Sequence, residues 1–243
     1  MIQFDVHTHS ISSGHGSTCT ITDMAMAARK KGLSLLGISD HGPATLCAGT
    51  PSYFRSLQMA PRERCGIRML YGVELNILDH SGKVDLEKSI LSGMDYAIIS
   101  MHTKNIKPGN ICENTKAYIH AMNQPKVRII GHCDDAKYPV DYKALAREAA
   151  DHHVMMEINN ASIMPGGYRG NTIPNIIHML YWCGVYDVPV LLSSDSHGYK
   201  HVGDVKGSEI LLRAFRESLD FPQHLIMSYD ADRFIKYINH YPL

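Results

Sequence analysis

The chain has 243 residues, of which 44% are hydrophobic, and this is enough for the core of one α/β domain covering residues 1–243. Its 24 basic residues balance its 24 acidic residues, so no net charge attracts nucleic acid or an anionic membrane. No apolar run approaches the ~18 residues that cross a bilayer, and the first seven residues lack the features of a signal peptide, so we expect a cytoplasmic protein.

Short apolar runs alternate with longer amphipathic stretches along the chain. The runs are rich in Ile, Val and Leu and bounded by turn residues, as buried parallel strands are, and they cover residues 2–7, 33–40, 67–77, 94–101, 127–131, 154–159 and 189–194. Helical patterns lie at residues 23–31, 114–123, 141–152, 176–183 and 209–218. We expect N-caps at Thr22, Asn114 and Asp141, and a left-handed helix end at Gly32. Seven strands alternating with helices predict an α/β fold, a distorted (β/α)7 TIM-like barrel.

Residue types that bind metals stand at or near the end of six of the seven runs. They are His7 and His9, Asp40 and His41, Glu74, His102, His132, and Asp195 with His197. Active sites of such barrels lie at the carboxyl ends of the strands, so we expect these side chains to meet. Residues i and i+2 share one face of a strand, which lets both members of each His-x-His or Asp-x-His pair point to one mouth.

Each of these residues also has a purely structural interpretation. A lone His-x-His pair is common on strand surfaces, His102 or His132 could be a hydrogen-bonded core histidine, and Asp40 could cap the turn that follows it. Glu74 is harder to explain, because burying a carboxylate without a partner is costly. The structural interpretations do not share a cause, so the joint pattern favours a metal site. Zinc fits imidazole and carboxylate ligands best, with iron or manganese as alternatives.

The order of these residues, together with His15 and the segments 38–43 and 157–162, resembles the polymerase-and-histidinol-phosphatase (PHP) superfamily. The resemblance runs from residue 5 to about residue 235 and is closest to the YcdX-like branch of bacterial phosphatases. It implies the PHP fold, a distorted (β/α)7 barrel, with up to three ions usually described as zinc. By motif, one ion would be held by His7, His9, Glu74 and Asp195, a second by Glu74, His102 and His132, and a third by His15, His41 and His197.

The resemblance implies a metal-dependent phosphoesterase, a phosphatase that acts on a small phosphomonoester. A hydroxide held between ions would attack phosphorus, with Glu74 and Asp195 as the carboxylates of the catalytic site. Asp40 would either orient a metal-bound histidine or cap a turn. Cys133 follows His132 where the family has a proline, and it is a further candidate for a soft ligand.

A glycine-rich loop at residues 161–172 carries Arg169 and is predicted to be a lid or phosphate clamp, or else a mobile surface loop. Lys104, in the loop after His102, has the same two interpretations.

Three other functions remain open from the sequence. Amidohydrolases that cleave C–N bonds also begin with His-x-His, but they often carry a carboxylated lysine on a middle strand, and the run 94–101 has no lysine. A PHP-type nuclease would need a polymer-binding surface, which the neutral charge disfavours. A non-catalytic metal-binding protein is the third alternative. The expected partner is therefore a small phosphorylated substrate rather than a membrane or nucleic acid.

Overall fold

The computed structural model describes residues 1–240, so the last three residues of the predicted domain lie outside the described part. Its strands form two sheets. The first has the order β1-β2-β4-β3, with β1 at Phe4–Asp5, β2 at Leu35–Ile38, β3 at Glu63–Arg64 and β4 at Ile67–Tyr71. The second has the order β5-β6-β7-β8-β9, with β5 at Val73–Asn76, β6 at Ala97–Ser100, β7 at Val127–Ile130, β8 at Met155–Asn159 and β9 at Val190–Ser193. All pairings are parallel except that between β3 and β4.

The two sheets are joined where the third predicted run divides. Gly72 separates β4 from β5, and a side chain there would meet the Tyr96 ring at 2.6 Å. An isolated parallel bridge between His41 and Glu74 continues the pairing across this break, and a second bridge between Thr8 and Ser196 joins the other two edges. The seven predicted runs therefore appear as a distorted parallel α/β barrel in which the third run serves both sheets.

Helices lie between the strands, and two of the three predicted N-caps are wrong. Within residues 1–240 the helices are α1 (Ile21–Lys30), α2 (Pro51–Leu57), α3 (Lys88–Leu91), α4 (Ile111–Ala121), α5 (Tyr142–Asp151), α6 (Asn160–Ile163), α7 (Ile173–Val185), α8 (Lys206–Leu219) and α9 (Ala231–His240). Thr20 and Asn110, rather than Thr22 and Asn114, form capping boxes with the acidic residue three positions later. Asp141 caps α5 as predicted, and Gly32 has the predicted left-handed conformation, with φ of 79°.

The two ends of the barrel differ in chemistry. Side chains near the starts of the strands, such as Phe4, Leu35 and Met155, form a buried apolar cluster with helix α9. The Phe4 and Phe234 rings lie 4.6 Å apart within it. Buried polar and charged residues instead concentrate where the strands end, at the opposite side of this apolar layer. No helix among the described residues is long and apolar enough to span a bilayer.

Candidate metal centre

The structure brings the predicted ligands together at the strand ends. Eight of the nine lie in four overlapping groups of three, and the ligand atoms of each group lie within 4.8 Å of one another. The groups are His7–His9–Asp195, His7–Glu74–His132, His41–Glu74–His102 and His9–His41–His197. The ninth residue, His15, is exposed, but its ring stacks on that of His41 at 4.8 Å with an interplanar angle of 8°. The ligand roles themselves stay a prediction.

Glu74 is the centre of the cluster. Its two oxygens lie 2.6–3.6 Å from imidazole nitrogens of five histidines, namely His7, His9, His41, His102 and His132. Burial alone would raise the pKa of this carboxyl, but the histidines around it hold the pKa well below its usual range. Glu74 is therefore ionised, and its position between two groups of histidines suits a carboxylate that bridges cations.

Asp40 acts on the cluster through Ser13. The Ser13 hydroxyl donates to Asp40 Oδ1 at 2.6 Å, so Ser13 Oγ accepts from His9 Nδ1 at 2.8 Å. Burial and neighbouring histidines lower the pKa of His9 well below its usual value, so the ring is neutral. His9 Nε2 then presents a lone pair to Asp195 Oδ1 at 3.1 Å. A lone pair facing a carboxylate is unfavourable unless a cation lies between them.

The Asp40 carboxylate does not cap the turn that follows it, and its remaining hydrogen bonds go to Ser10 and Tyr53 instead. It accepts from the backbone N–H and hydroxyl of Ser10, at 2.6 and 2.7 Å, and from the hydroxyl of Tyr53 at 2.5 Å. The prediction that Asp40 caps the following turn is therefore wrong, and its carboxylate reaches a predicted ligand histidine through Ser13.

His102 repeats this arrangement on the other side of Glu74. Its Nδ1 lies 2.8 Å from Asn76 Oδ1, and because that oxygen can only accept, Nδ1 carries the proton. Burial lowers the pKa of His102 to about 4, so the ring is neutral at pH 7. Its Nε2 lone pair therefore faces Glu74 Oε1 at 3.3 Å. The site again holds two acceptors in contact, as a cation site does.

Further nitrogens of the cluster lack hydrogen bonds. His7 Nε2, His9 Nε2, His41 Nε2 and His197 Nε2 are buried and have no hydrogen-bond partner among residues 1–240. Buried polar atoms in proteins are nearly always paired, so a group of unpaired nitrogens aimed at one another indicates a missing electron-pair acceptor. Divalent cations fit this donor set of imidazoles and carboxylates.

Glu157, on β8, was missed as a functional residue by sequence reasoning. Its Oε1 accepts from His7 Nδ1 and from the Ser193 hydroxyl, both at 2.5 Å, and its Oε2 accepts from the His132 backbone N–H at 2.7 Å. The glutamate thus orients His7 and leaves His7 Nε2 facing the cluster. A carboxylate inside the apolar run 154–159 was the available signal, by the same burial argument that singled out Glu74.

Two of the predicted ligands are among the eight described non-glycine residues with positive φ. His132 and Asp195 have positive φ values of 24° and 53°, which β-carbon-bearing residues rarely adopt. In His132 the bond from its N–H to Glu157 holds this conformation. Strained residues persist only where surrounding contacts fix them, and they cluster at functional sites.

Arg169 is locked in place rather than mobile. Its side chain is 3% exposed, and its Nη2 donates to Asp195 Oδ2 at 2.8 Å, while Nη1 donates to Asn159 and Ser162. The contact holds one oxygen of Asp195 and leaves Oδ1 facing His9. A mobile surface loop therefore does not describe this residue, although the predicted phosphate clamp stays a prediction.

A cavity of about 620 Å³ opens above the cluster. Its walls include His41, His102, His132 and Arg169, together with Lys104 and Tyr168. A second cavity of about 790 Å³ lies on the side of Asp195 and His197 and shares Tyr168 with the first. The first cavity reaches the ligands that surround Glu74, so it is the candidate substrate pocket.

Cys133 does not face the cluster. Its Sγ lies 3.7 Å from Met179 Sδ in the hydrophobic core, and burial raises the pKa of this thiol well above its usual value. The prediction that Cys133 could supply a soft ligand is therefore wrong. The residue after His132 turns its side chain to the helices that cover the barrel.

A distorted α/β barrel with imidazoles and carboxylates clustered at its strand ends defines the class of protein: a barrel with a candidate metal centre. Residues 5–161 match the model of the PHP domain, and the chain belongs to this family. The resemblance predicted from the motifs is thereby confirmed.

Relatives with assigned names are similar over nearly the whole chain. A protein of Clostridium novyi (strain NT) named "probable phosphatase" is 35% identical over 235 residues, covering 96% of this chain and 93% of that one. One of Clostridium acetobutylicum with the same description is 36% identical over 234 residues, with the same coverage. The histidinol phosphate phosphatase of Lactococcus lactis, solved with zinc, L-histidinol and phosphate, superposes with a TM-score of 0.58 at 18% identity, covering 88% of this chain and 93% of that one. The last likeness concerns the fold alone.

Proposed function

We propose that this chain is a phosphatase that hydrolyses a small phosphomonoester with up to three divalent cations, zinc first, with iron or manganese as alternatives. One observation carries the proposal: the neutral rings of His9 and His102 turn a lone pair towards a carboxylate oxygen, at 3.1 and 3.3 Å. Acceptors face each other in this way where cations bind between them. The names of the two clostridial relatives support phosphate ester hydrolysis as the reaction.

The three ions are assigned to the sets that the motifs predict. By motif, one set is His7, His9, Glu74 and Asp195, the second is Glu74, His102 and His132, and the third is His15, His41 and His197. In the structure the third set approaches the first closely, since the His9 and His197 rings stack at 4.1 Å. When bound, divalent cations of this kind lower the pKa of coordinated water and stabilise negative charge on phosphate oxygens.

The protein's own residues orient the reactants. Glu157 and the Asp40–Ser13 pair each fix one nitrogen of a ligand histidine, so the other nitrogen points to the centre. Arg169 holds Asp195 in a single orientation. Two carboxylates at the centre do not balance three divalent ions, so the loaded site is positively charged and favours an anionic group such as phosphate. The cavity beside Lys104 then accommodates the alcohol part of the ester.

The three alternatives make different predictions. An amidohydrolase-like enzyme would turn over amides or lactones, a nuclease would bind single-stranded DNA with strong salt dependence, and a regulatory protein would bind metal without turnover. We expect purified, zinc-loaded protein to hydrolyse members of a panel of phosphomonoesters and not to hydrolyse the amides and lactones of two further panels. Glu74→Gln should abolish the activity when it is folded like the wild type and assayed at the same concentration.

The site of attack is tested by isotope labelling. Single-turnover hydrolysis in ¹⁸O-water should place the label in inorganic phosphate, because the proposal has water attacking phosphorus. Label in the released alcohol would contradict the proposed reaction. Turnover of amides but not of phosphomonoesters would contradict the proposal and favour the amidohydrolase-like alternative.

A further inference from the structure

A third carboxylate stands behind the cluster, at Asp85. This residue lies in the connection between β5 and α3, and its Oδ2 accepts from the Asn76 side-chain amide at 2.6 Å. Its Oδ1 accepts from the Asn76 backbone N–H at 3.0 Å, and its Oδ2 also accepts from the Ala44 N–H at 2.9 Å. Asn76 in turn contacts His102. Asp85 is thus three contacts away from Glu74, through Asn76 and His102, and no motif singled it out.

The shortest bond that fixes the direction of the Asn76 amide is the one to this carboxylate, at 2.6 Å; Nδ2 also donates to Thr45 Oγ1 at 3.1 Å and to the Gly42 carbonyl at 3.4 Å. The two ends of a side-chain amide have nearly the same shape, so hydrogen-bond partners decide which end points where. Each Asp85 oxygen already accepts from a backbone N–H, of Asn76 or Ala44, so the carboxyl requires the Nδ2 end and the Oδ1 end is left for His102. The Asn105 amide, which donates to the same oxygen at 2.5 Å, supports this direction. His102 must therefore carry its proton on Nδ1.

The proton position decides whether His102 can bind a cation. With Nδ1 protonated, Nε2 offers a lone pair towards Glu74 Oε1 at 3.3 Å. If the Asn76 amide were reversed, its Nδ2 would face His102 Nδ1, which would have to accept. The proton would then move to Nε2, and that nitrogen could no longer act as a ligand.

We propose that Asp85 is a positioning residue: through the Asn76 amide it sets the tautomer of His102 and so the affinity of the ion that His102, His132 and Glu74 would hold. This inference rests on the proposed function for the ligand role of His102. Glu157 at His7 and Asp40 at His9 are placed in the same way, directly or through one hydrogen-bonding residue. Three of the ligand histidines thus have a carboxylate behind them.

Asp85 also shapes the cavity, which the test has to separate from its effect on His102. Its bond to the Ala44 N–H fixes a loop that lines the candidate substrate pocket. Gly42 belongs to the same loop, and a side chain there would meet the Asp85 carboxylate at 2.4 Å. A purely structural loss would loosen this loop without a preference for one tautomer of His102.

The experiment compares Asp85→Ala with Asp79→Ala. Asp79 is a matched control, because it caps an exposed turn in the same connection by accepting from Ser81 and does not contact Asn76. Ring-¹⁵N histidine NMR of the metal-free proteins reports each tautomer, with His102 assigned through His102→Gln. Chelator competition then gives the zinc affinity of each protein, and thermal unfolding reports the fold.

We expect wild type and Asp79→Ala to show His102 protonated on Nδ1. Asp85→Ala should show a mixture of tautomers at His102 alone. The zinc ion that His102, His132 and Glu74 would hold should bind about 10- to 100-fold less tightly than in wild type. An unchanged His102 tautomer with unchanged affinity in folded Asp85→Ala would overturn the proposal. Spectral changes at His7 and His9 equal to those at His102 would also overturn the proposal, because they would show that the whole ligand cluster has become less ordered.

A charge exchange decides the matter if Asp85→Ala does not fold. Asn76→Asp keeps an acceptor for His102 but places two carboxylates in contact, so zinc affinity should fall. Adding Asp85→Asn restores a donor–acceptor pair between the two positions and should recover most of the affinity, less the bond to Ala44. Absence of recovery would overturn the proposal. If wild type binds no zinc, the proposed function fails, while the tautomer measurement still tests Asp85.

Discussion

Replacing Glu157 with glutamine tests how the cluster is held in its binding form. The carboxylate accepts four hydrogen bonds: Oε1 accepts from His7 Nδ1 and Ser193, and Oε2 accepts from the His132 N–H and from Asn159 Nδ2. Glutamine has nearly the same shape but only one accepting oxygen. Whichever way the new amide points, two of the four donors face its N–H groups.

The lower-energy direction of this amide disables His7. A backbone N–H cannot reverse, so the glutamine oxygen should stay with His132 and its Nε2 should turn to His7 and Ser193. The Ser193 hydroxyl can rotate, but His7 can accept only by moving its proton to Nε2, the nitrogen that faces Glu74 and Asp195. Each donor left without an acceptor would cost about 1–3 kcal/mol of stability.

We therefore expect Glu157→Gln to bind the ion beside His7 about 10- to 100-fold more weakly and to lose activity in proportion. Inductively coupled plasma mass spectrometry after dialysis and chelator competition measure the binding, and thermal unfolding reports the stability. Glu148→Gln is the control, since Glu148 pairs with Arg147 on the outer face of α5. Wild-type zinc affinity and kcat in folded Glu157→Gln would refute the reasoning.

Three further predictions follow from the site. Arg169→Ala should lower Tm, because breaking its buried ion pair with Asp195 costs about 3–5 kcal/mol of stability. Lys104→Ala, in the wall of the candidate substrate pocket, should instead raise KM for a phosphomonoester several-fold and leave Tm and metal content unchanged. Cys133→Ala should leave the zinc stoichiometry unchanged, and zinc-edge absorption should show no Zn–S distance in wild type, because the thiol faces the core. Apparent zinc affinity should rise from pH 6 to pH 8, because the surrounding carboxylates, acting against burial, raise the pKa values of His7 and His41 and make a bound cation displace their protons.

Each of these has a result that would count against it. A Tm drop in Lys104→Ala equal to that of Arg169→Ala would remove the distinction between a buried pair and an exposed side chain. Loss of a zinc ion in Cys133→Ala would mean that the Cys133 thiol is a zinc ligand. Zinc affinity independent of pH would mean that neither histidine holds a proton in the metal-free protein.

Sequence reasoning was most successful where geometry depends on the chain path. Parallel strands place their carboxyl ends together, so residues after the runs had to converge once those runs were strands, as His7, Glu74 and Asp195 do. The division of the third run at Gly72 was not visible, because both halves are apolar and only the break in pairing separates them.

The contacts behind the ligands could not be predicted in the same way. Whether Ser13 meets His9, or Asn76 meets His102, depends on side-chain directions in loops that no periodicity describes. The direction of Cys133 has the same origin, since a left-handed backbone at His132 turns the next residue to the core. Two of the residues behind the ligands left a trace in the sequence: Asp40 stands at the end of a strand, and Glu157 is a charge within an apolar strand.

The central claim is that the buried imidazoles and carboxylates around Glu74 hold divalent cations. Anomalous diffraction at the zinc absorption edge, from crystals of protein purified and equilibrated with zinc, tests it most directly. We predict up to three peaks, each in contact with side chains of the four groups around Glu74 and Asp195. Well-diffracting crystals with no anomalous peak among these side chains would contradict the claim.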